Sequence, residues 1–153
     1  MKVINDEEIR KAFAGNEVDD LIRNVSISEN GERIGMDRDE IDYVSRRLRQ
    51  FAGKKPSDKV CAAVARALEM LLQGDAYDVY CAVLLIGDFL YEANRGGNVF
   101  GIDFRKMLKS VENGMKRAFN GDARKTSVSW PLKTEYMKYD AEAVVRYMKA
   151  NIE

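Results

Sequence analysis

Apolar residues recur at helical spacing through most of the chain, and the densest such stretch runs from about residue 57 to residue 91. Two helical segments are separated there by Gly74-Asp75, and the second contains a run of nine apolar or glycine residues from Val79 to Gly87. A helix that is apolar on nearly all sides needs neighbours on nearly all sides. We therefore predict a buried helical hairpin, 57–91, at the centre of the fold.

Shorter amphipathic segments surround this hairpin, and several begin at a capping residue. Asp37 precedes Glu40 by three positions, and Asp75 precedes Asp78 by the same distance, a spacing typical of the first turn of a helix. Two later segments, starting at Asp103 and at about Asp140, carry regular apolar stripes. The pattern predicts a mainly α-helical protein of six or seven helices, with 1–153 forming a single globular domain.

One segment departs from the helical pattern. Residues 25–36 alternate apolar and polar residues around Asn30-Gly31, a pair that suits a type I′ turn because both positions tolerate a positive φ. We therefore predict a small β-hairpin over 25–36. Residues 126–130 also alternate with a period of two, which predicts a third strand that extends this hairpin.

The chain has 25 Lys and Arg against 25 Asp and Glu, but the charge is unevenly spread. Residues 1–45 contain 6 basic and 12 acidic side chains, whereas residues 46–153 contain 19 and 13. The longest apolar run is far below the ~20 residues of a membrane span. The first residues are acidic where a secretory signal peptide would be apolar. We expect a cytoplasmic protein that does not associate with membranes.

Histidine is absent, which limits the catalytic and metal-binding sites that the chain can form. This absence excludes Ser-His-Asp triads, Cys-His dyads, histidine general bases and histidine-containing zinc sites. Cys61 and Cys81 lie on opposite arms of the predicted hairpin at different distances from its turn, about 10 Å out of register at 1.5 Å per residue. A disulfide cannot span that offset. We expect two buried free thiols, no metal and no cofactor.

Asp88 and Glu92 are the acidic residues that best suit a catalytic or metal-binding role. They share a helical face directly after the apolar run, where burial would raise the pKa of a carboxyl group. One interpretation is an all-α, carboxylate-based, Mg-dependent hydrolase centred on these two residues, with Asp75 or Asp78 as further ligands. The other is a pair of surface acids that bind a base, such as Arg66 or Arg95.

The region 103–138 is basic, with 9 Lys and Arg against 4 Asp and Glu, and aromatic residues lie between them. Such a surface suits an acidic protein or a nucleic-acid backbone. No nucleic-acid recognition motif accompanies it, so nucleic acid is the less favoured partner. The predicted binding residues are Arg105, Lys109, Lys116, Arg124, Lys125, Trp130 and Tyr136.

The leading functional hypothesis is a non-catalytic protein-binding module rather than an enzyme. It would be a small cytoplasmic inhibitor or immunity-type protein that binds and neutralises a partner such as a toxin or effector. The hypothesis rests on the missing histidine, the missing nucleotide-binding and metal-binding motifs, and the opposed charges of the two parts of the chain. A nucleic-acid-binding protein that uses the basic region 103–138 is the second alternative.

Overall fold

The computed structural model describes residues 4–15, 17–24, 35–119 and 134–152. This part of the chain forms seven α-helices, and no strand occurs within it. The mainly helical class is therefore confirmed. The helices are α1 (Asp6–Gly15), α2 (Val18–Arg23), α3 (Arg38–Ala52), α4 (Asp58–Leu71), α5 (Ala76–Arg95), α6 (Phe104–Phe119) and α7 (Thr134–Asn151).

The predicted central hairpin is present as α4 and α5. Helix α5 buries 13 of its 20 residues, including every residue from Val79 to Gly87. It packs against α3, α4, α6 and α7, while α1 and α2 pack against α3 and α4. Because each side of α5 meets another helix, its apolar side chains are removed from water all round the axis.

Helices α3 and α5 begin directly after the predicted capping residues, Asp37 and Asp75. The Asp75 carboxylate accepts a hydrogen bond from the Asp78 N–H at 2.9 Å, and the Asp78 carboxylate accepts one from the Asp75 N–H at 3.1 Å. Asp37 and Glu40 make the same reciprocal pair at the start of α3. Each pair satisfies N–H groups that the first turn of a helix leaves without a partner.

Tertiary contacts give the relative directions of the last three helices. Tyr80 meets Asp140 near the start of α5, and Tyr91 meets Tyr147 near its end, so α5 and α7 run parallel. Helix α6 runs antiparallel to both, because Arg117 near its end donates to the carbonyl oxygens of Leu72 and Gly74 just before α5. These donations also satisfy carbonyl groups at the end of α4.

The predicted β-hairpin over 25–36 is not supported. Residues 25–34 lie outside the described residues, and Gly35 and Met36 do not form a strand. Met36 is fully buried, and its N–H donates to the Tyr77 hydroxyl at 2.8 Å. This side-chain hydrogen bond takes the backbone donor of the last predicted hairpin residue. The strand predicted over 126–130 also lies outside the described residues.

Helix α7 begins earlier than predicted, at Thr134 rather than near Asp140. The buried residues Met137, Ala141, Val144 and Met148 follow one another at spacings of three and four. The apolar stripe therefore extends one turn further toward the start of the helix than the sequence prediction placed it.

Both cysteines are free, as predicted, although Cys61 is only half-buried while Cys81 is buried. Among the helices of the described ranges, none combines the length and apolar composition that crossing a bilayer requires.

Candidate functional site

A cleft of about 330 Å³ opens between α3, α5 and α7. Its apolar walls are formed by Leu84 and Gly87 of α5 and by Ala143 and Val144 of α7. Gly87 has a packing role here, because a Cβ at this position would overlap Cγ1 of Val144. The missing side chain lets α7 approach α5 closely and sets the floor of the cleft. We refer to this cavity as the α3–α5–α7 cleft.

Two carboxyl groups face each other in this cleft, Asp42 of α3 and Asp88 of α5. Burial, the hydrogen bond with Asp42 and the Asp42 charge raise the pKa of Asp88 to about 8, while Arg49 and Arg38 oppose this shift. Two carboxylates in contact repel each other, and a proton shared between them removes the repulsion and supplies the hydrogen bond. Asp88 therefore holds a proton at neutral pH.

Arginine side chains flank the carboxyl pair. Arg38 lies one turn before Asp42 on α3 and lines the same cleft. Arg49 lies on the outer side, where its guanidinium is 3.6 Å from a Glu92 carboxylate oxygen. The Nε of Arg49 is buried and has no hydrogen-bond partner among the described residues. An adjoining groove of about 390 Å³ is lined by Asp39, Asp42, Arg46, Arg49, Asp88, Tyr91 and Glu92.

Aromatic residues form the rim of the cleft toward the ends of α5 and α7. The rings of Tyr91 and Tyr147 meet edge to face, with centroids 6.4 Å apart. Arg95 lies over the Tyr91 ring at 5.1 Å and donates to its hydroxyl at 2.8 Å. This arrangement orders the rim while leaving Tyr91 45% exposed.

A second polar contact joins the beginning of α5 to α7. The Tyr80 hydroxyl donates to an Asp140 carboxylate oxygen at 3.3 Å. Burial and the nearby Asp140 charge raise the pKa of Tyr80 well above its ordinary value. Tyr80 is therefore a hydrogen-bond donor over the whole physiological pH range, and it ties α7 to α5 below the cleft.

The predicted pairing of Asp88 with Glu92 is replaced by two separate contacts. Asp88 pairs with Asp42, and Glu92 lies against Arg49 rather than against Arg66 or Arg95. Within the described ranges, no group of three or more His, Cys, Asp or Glu side chains is arranged to hold a metal ion. The carboxyl pair can exchange a proton at neutral pH, which suits proton-coupled binding or proton donation.

The predicted binding residues lie elsewhere. Arg105, Lys109 and Lys116 are exposed on α6, and Tyr136 is 67% exposed on α7. Lys116 and Tyr136 lie at the same end of the helical layer, since α6 and α7 are antiparallel. Arg105 lies at the other end of α6, about 16 Å away along the helix axis at 1.5 Å per residue. Arg124, Lys125 and Trp130 lie outside the described residues.

Sequence reasoning missed Asp42. This residue follows the buried Ile41 and shares a helical stripe with Arg38, Ser45 and Arg49. Ser45 is completely buried, and a polar side chain on that stripe was the available sign that it faces another helix. The identity of the helix opposite, and hence of Asp88 as the partner, depends on tertiary packing.

Comparison of the chain with protein-family models, with curated proteins and with solved structures gave no match.

Proposed function

We propose that this protein is a non-catalytic protein-binding module of the inhibitor or immunity type, which binds and neutralises a partner such as a toxin or effector. The supporting observation is the α6 basic surface, which we define as the exposed side chains of Arg105, Lys106, Lys109 and Lys116. The partner would present a complementary acidic surface.

The charge of the α6 basic surface is not offset by the acid on its own helix. Glu112 is the acidic residue of α6, and its carboxylate is 3.1 Å from Lys149 of α7. The exposed lysines Lys106, Lys109 and Lys116 add positive charge to this surface, which accelerates encounter with an acidic partner and disfavours a basic one.

Two exposed tyrosines lie near the start of α7, the helix that packs beside α6. Tyr136 is 67% exposed and Tyr139 is 69% exposed. Tyrosine is enriched at protein interfaces because its rigid ring buries a large area and its hydroxyl still forms hydrogen bonds. Basic and tyrosine side chains on two packed helices offer the mixture of charge and aromatic area that protein-binding surfaces use.

The geometry gives less support to a hydrolase centred on Asp88 and Glu92. The Glu92 carboxylate lies against Arg49 and the Asp88 carboxyl group faces Asp42, so each has its own partner although both line the adjoining groove. The same positive charge would attract nucleic acid. An experiment is therefore needed to distinguish a nucleic-acid partner from a protein partner.

Reversing two charges on α6 is expected to weaken binding to the native partner. The tagged protein, isolated from its native host, should retain an acidic protein in stoichiometric amount. The variant with Lys109→Glu and Lys116→Glu should bind that protein at least about tenfold more weakly, because it puts like charges across the interface. Dissociation constants measured by surface plasmon resonance at several salt concentrations provide the test.

The matched control is the variant with Lys54→Glu and Lys55→Glu. These lysines are exposed between α3 and α4, and their reversal changes the net charge by the same amount. Equal weakening by both variants would show a general charge effect and would contradict the assigned surface. Stoichiometric recovery of nucleic acid without a protein partner would replace the proposal by the nucleic-acid alternative.

A further inference from the structure

We propose that the α3–α5–α7 cleft binds a small organic monocation, an ammonium-type ligand with an apolar body, at the carboxyl groups of Asp42 and Asp88. This site is independent of the α6 basic surface. The proposal assigns the protein a small-molecule ligand in addition to its proposed protein partner.

The first support is the shape and lining of the cavity. Its volume of about 330 Å³ lies within the range of roughly 300–1,000 Å³ that is usual for small-ligand pockets. Leu84, Ala143 and Val144 offer apolar contacts, and the carboxyl groups of Asp42 and Asp88 are its acidic groups. An apolar cavity with a few convergent polar groups favours a ligand that is apolar over most of its surface and charged at one end.

The second support is the charge balance around the carboxyl pair. The surrounding titratable and charged groups are Arg38, Asp39, Arg46 and Arg49 of α3, Tyr80, Tyr91, Glu92 and Arg95 of α5, and Asp140 and Tyr147 of α7. Arg38 is the basic residue that lines the cleft itself, whereas Arg49 contacts Glu92 and Arg95 contacts Tyr91. The carboxyl pair balances Arg38 when it carries one proton.

This balance selects the charge of the ligand. If a monocation replaces the proton, both carboxylates ionise and the site stays neutral, because the ligand supplies the charge that the proton supplied before. An anion would leave the site with an uncompensated negative charge beside two partly buried carboxyl groups, which is unfavourable where the dielectric constant is below that of water. The released proton passes to solvent, so each bound cation is matched by about one proton.

The third support is the aromatic rim. Tyr91 and Tyr147 stand where the cleft opens, and aromatic rings attract organic cations through their quadrupoles. Arg95 already uses this attraction, since its guanidinium lies over the Tyr91 ring at 5.1 Å. The rim is therefore suited to a cation that is weakly hydrated, such as a substituted ammonium ion.

The test uses benzyltrimethylammonium, whose charge does not change with pH. Isothermal titration calorimetry should show saturable binding at millimolar concentration or below, and no comparable binding of benzyl alcohol or benzoate. Because the cation competes with a proton, its dissociation constant should fall about tenfold between pH 6 and pH 7 and become nearly constant above about pH 8. Titrations in two buffers of different ionisation enthalpy should give about one proton released per cation at pH 7.

Three variants locate the site. Asp88→Asn keeps a hydrogen bond to Asp42 but removes the exchangeable proton and one negative charge, so binding should weaken at least about tenfold. Ala143→Leu fills the cleft without a change of charge and should weaken binding similarly. Glu142→Gln changes an exposed carboxylate next to Ala143 in the chain and should leave the dissociation constant unchanged.

The proposal is overturned by any of three results: no saturable binding of the cation up to millimolar concentration, equal binding of benzyl alcohol or benzoate, or binding that Asp88→Asn and Ala143→Leu leave intact. Circular dichroism spectra of the variants that match the wild type establish that a loss of binding reflects the site and not the fold.

Discussion

The Asp88→Asn variant is expected to be more stable than the wild type at pH 8 and about equally stable near pH 5. The pKa of Asp88 is about 8 in the folded protein, against an ordinary value of 3.8. Between these two values the folded state binds the proton more tightly than the unfolded state. The free energy of unfolding therefore falls as the pH rises through this window.

The raised pKa of Asp88 determines how strongly the free energy of unfolding depends on pH. One fully linked proton changes the free energy of unfolding by at most about 1.4 kcal/mol per pH unit. Asp88 is only partly buried and shares its proton with Asp42, so solvent screening reduces this value. We expect a loss of about 2 kcal/mol for the wild type between pH 5 and pH 8, and no such loss from residue 88 in the variant, whose amide has no proton to release.

Urea unfolding at pH 5, 6, 7 and 8 measures the difference between the two proteins. The matched control is Glu92→Gln, which neutralises a carboxylate one turn further along α5. Glu92 contacts Arg49 at a partly exposed position, so its loss should cost about 1 kcal/mol or less and leave the pH-dependence of Asp88 intact. Parallel curves for wild type and Asp88→Asn over the whole pH range would show that the pair does not share a proton.

Local signals predicted most of the helices correctly. Caps such as Asp37 with Glu40 and Asp75 with Asp78 act within one turn, so they can be recognised in the sequence before any tertiary structure is known. The apolar run from Val79 to Gly87 predicted burial on all sides, and α5 has neighbours on all sides. These features depend on residues close together in the chain.

The predictions that failed concern contacts between residues that are distant in the chain. At the last residue of the predicted β-hairpin, the Met36 N–H donates to the hydroxyl of Tyr77, which lies 41 positions later in the chain. Asp42 and Asp88 are likewise brought together by the packing of α3 on α5. Glu92 had Arg95 nearby on its own helix, but Arg49 of α3 is its partner in the fold. Each of these contacts joins residues that lie far apart in the chain.

Substitution of Gly114 is expected to cause the second large change in stability. At this residue α6 crosses the turn between α4 and α5. A Cβ at this position would lie 2.7 Å from the carbonyl oxygen of Leu72, a backbone atom that cannot move without shifting the end of α4. Arg117, one turn later, donates to the same carbonyl oxygen at 3.0 Å and to that of Gly74 at 2.7 Å. Displacing α6 at Gly114 therefore also disturbs these hydrogen bonds.

Gly114→Val should lower the free energy of unfolding by about 3 kcal/mol, because overpacking and the disturbed Arg117 contacts add together. Gly114→Ala should lower it by about 1–2 kcal/mol, since the better helix propensity of alanine offsets part of the same overlap. Both values are measured by urea unfolding at constant pH.

Gly97→Ala is the matched control, because a Cβ at residue 97 meets no atom within 4 Å and its φ is not positive. Its stability should stay within about 1 kcal/mol of the wild type, with any gain coming from a less flexible unfolded chain. If Gly114→Val proved as stable as Gly97→Ala, the helix would not lie against the Leu72 carbonyl oxygen. The close approach of α6 to the central hairpin requires the opposite result, because the space that a side chain needs at residue 114 is already occupied by backbone.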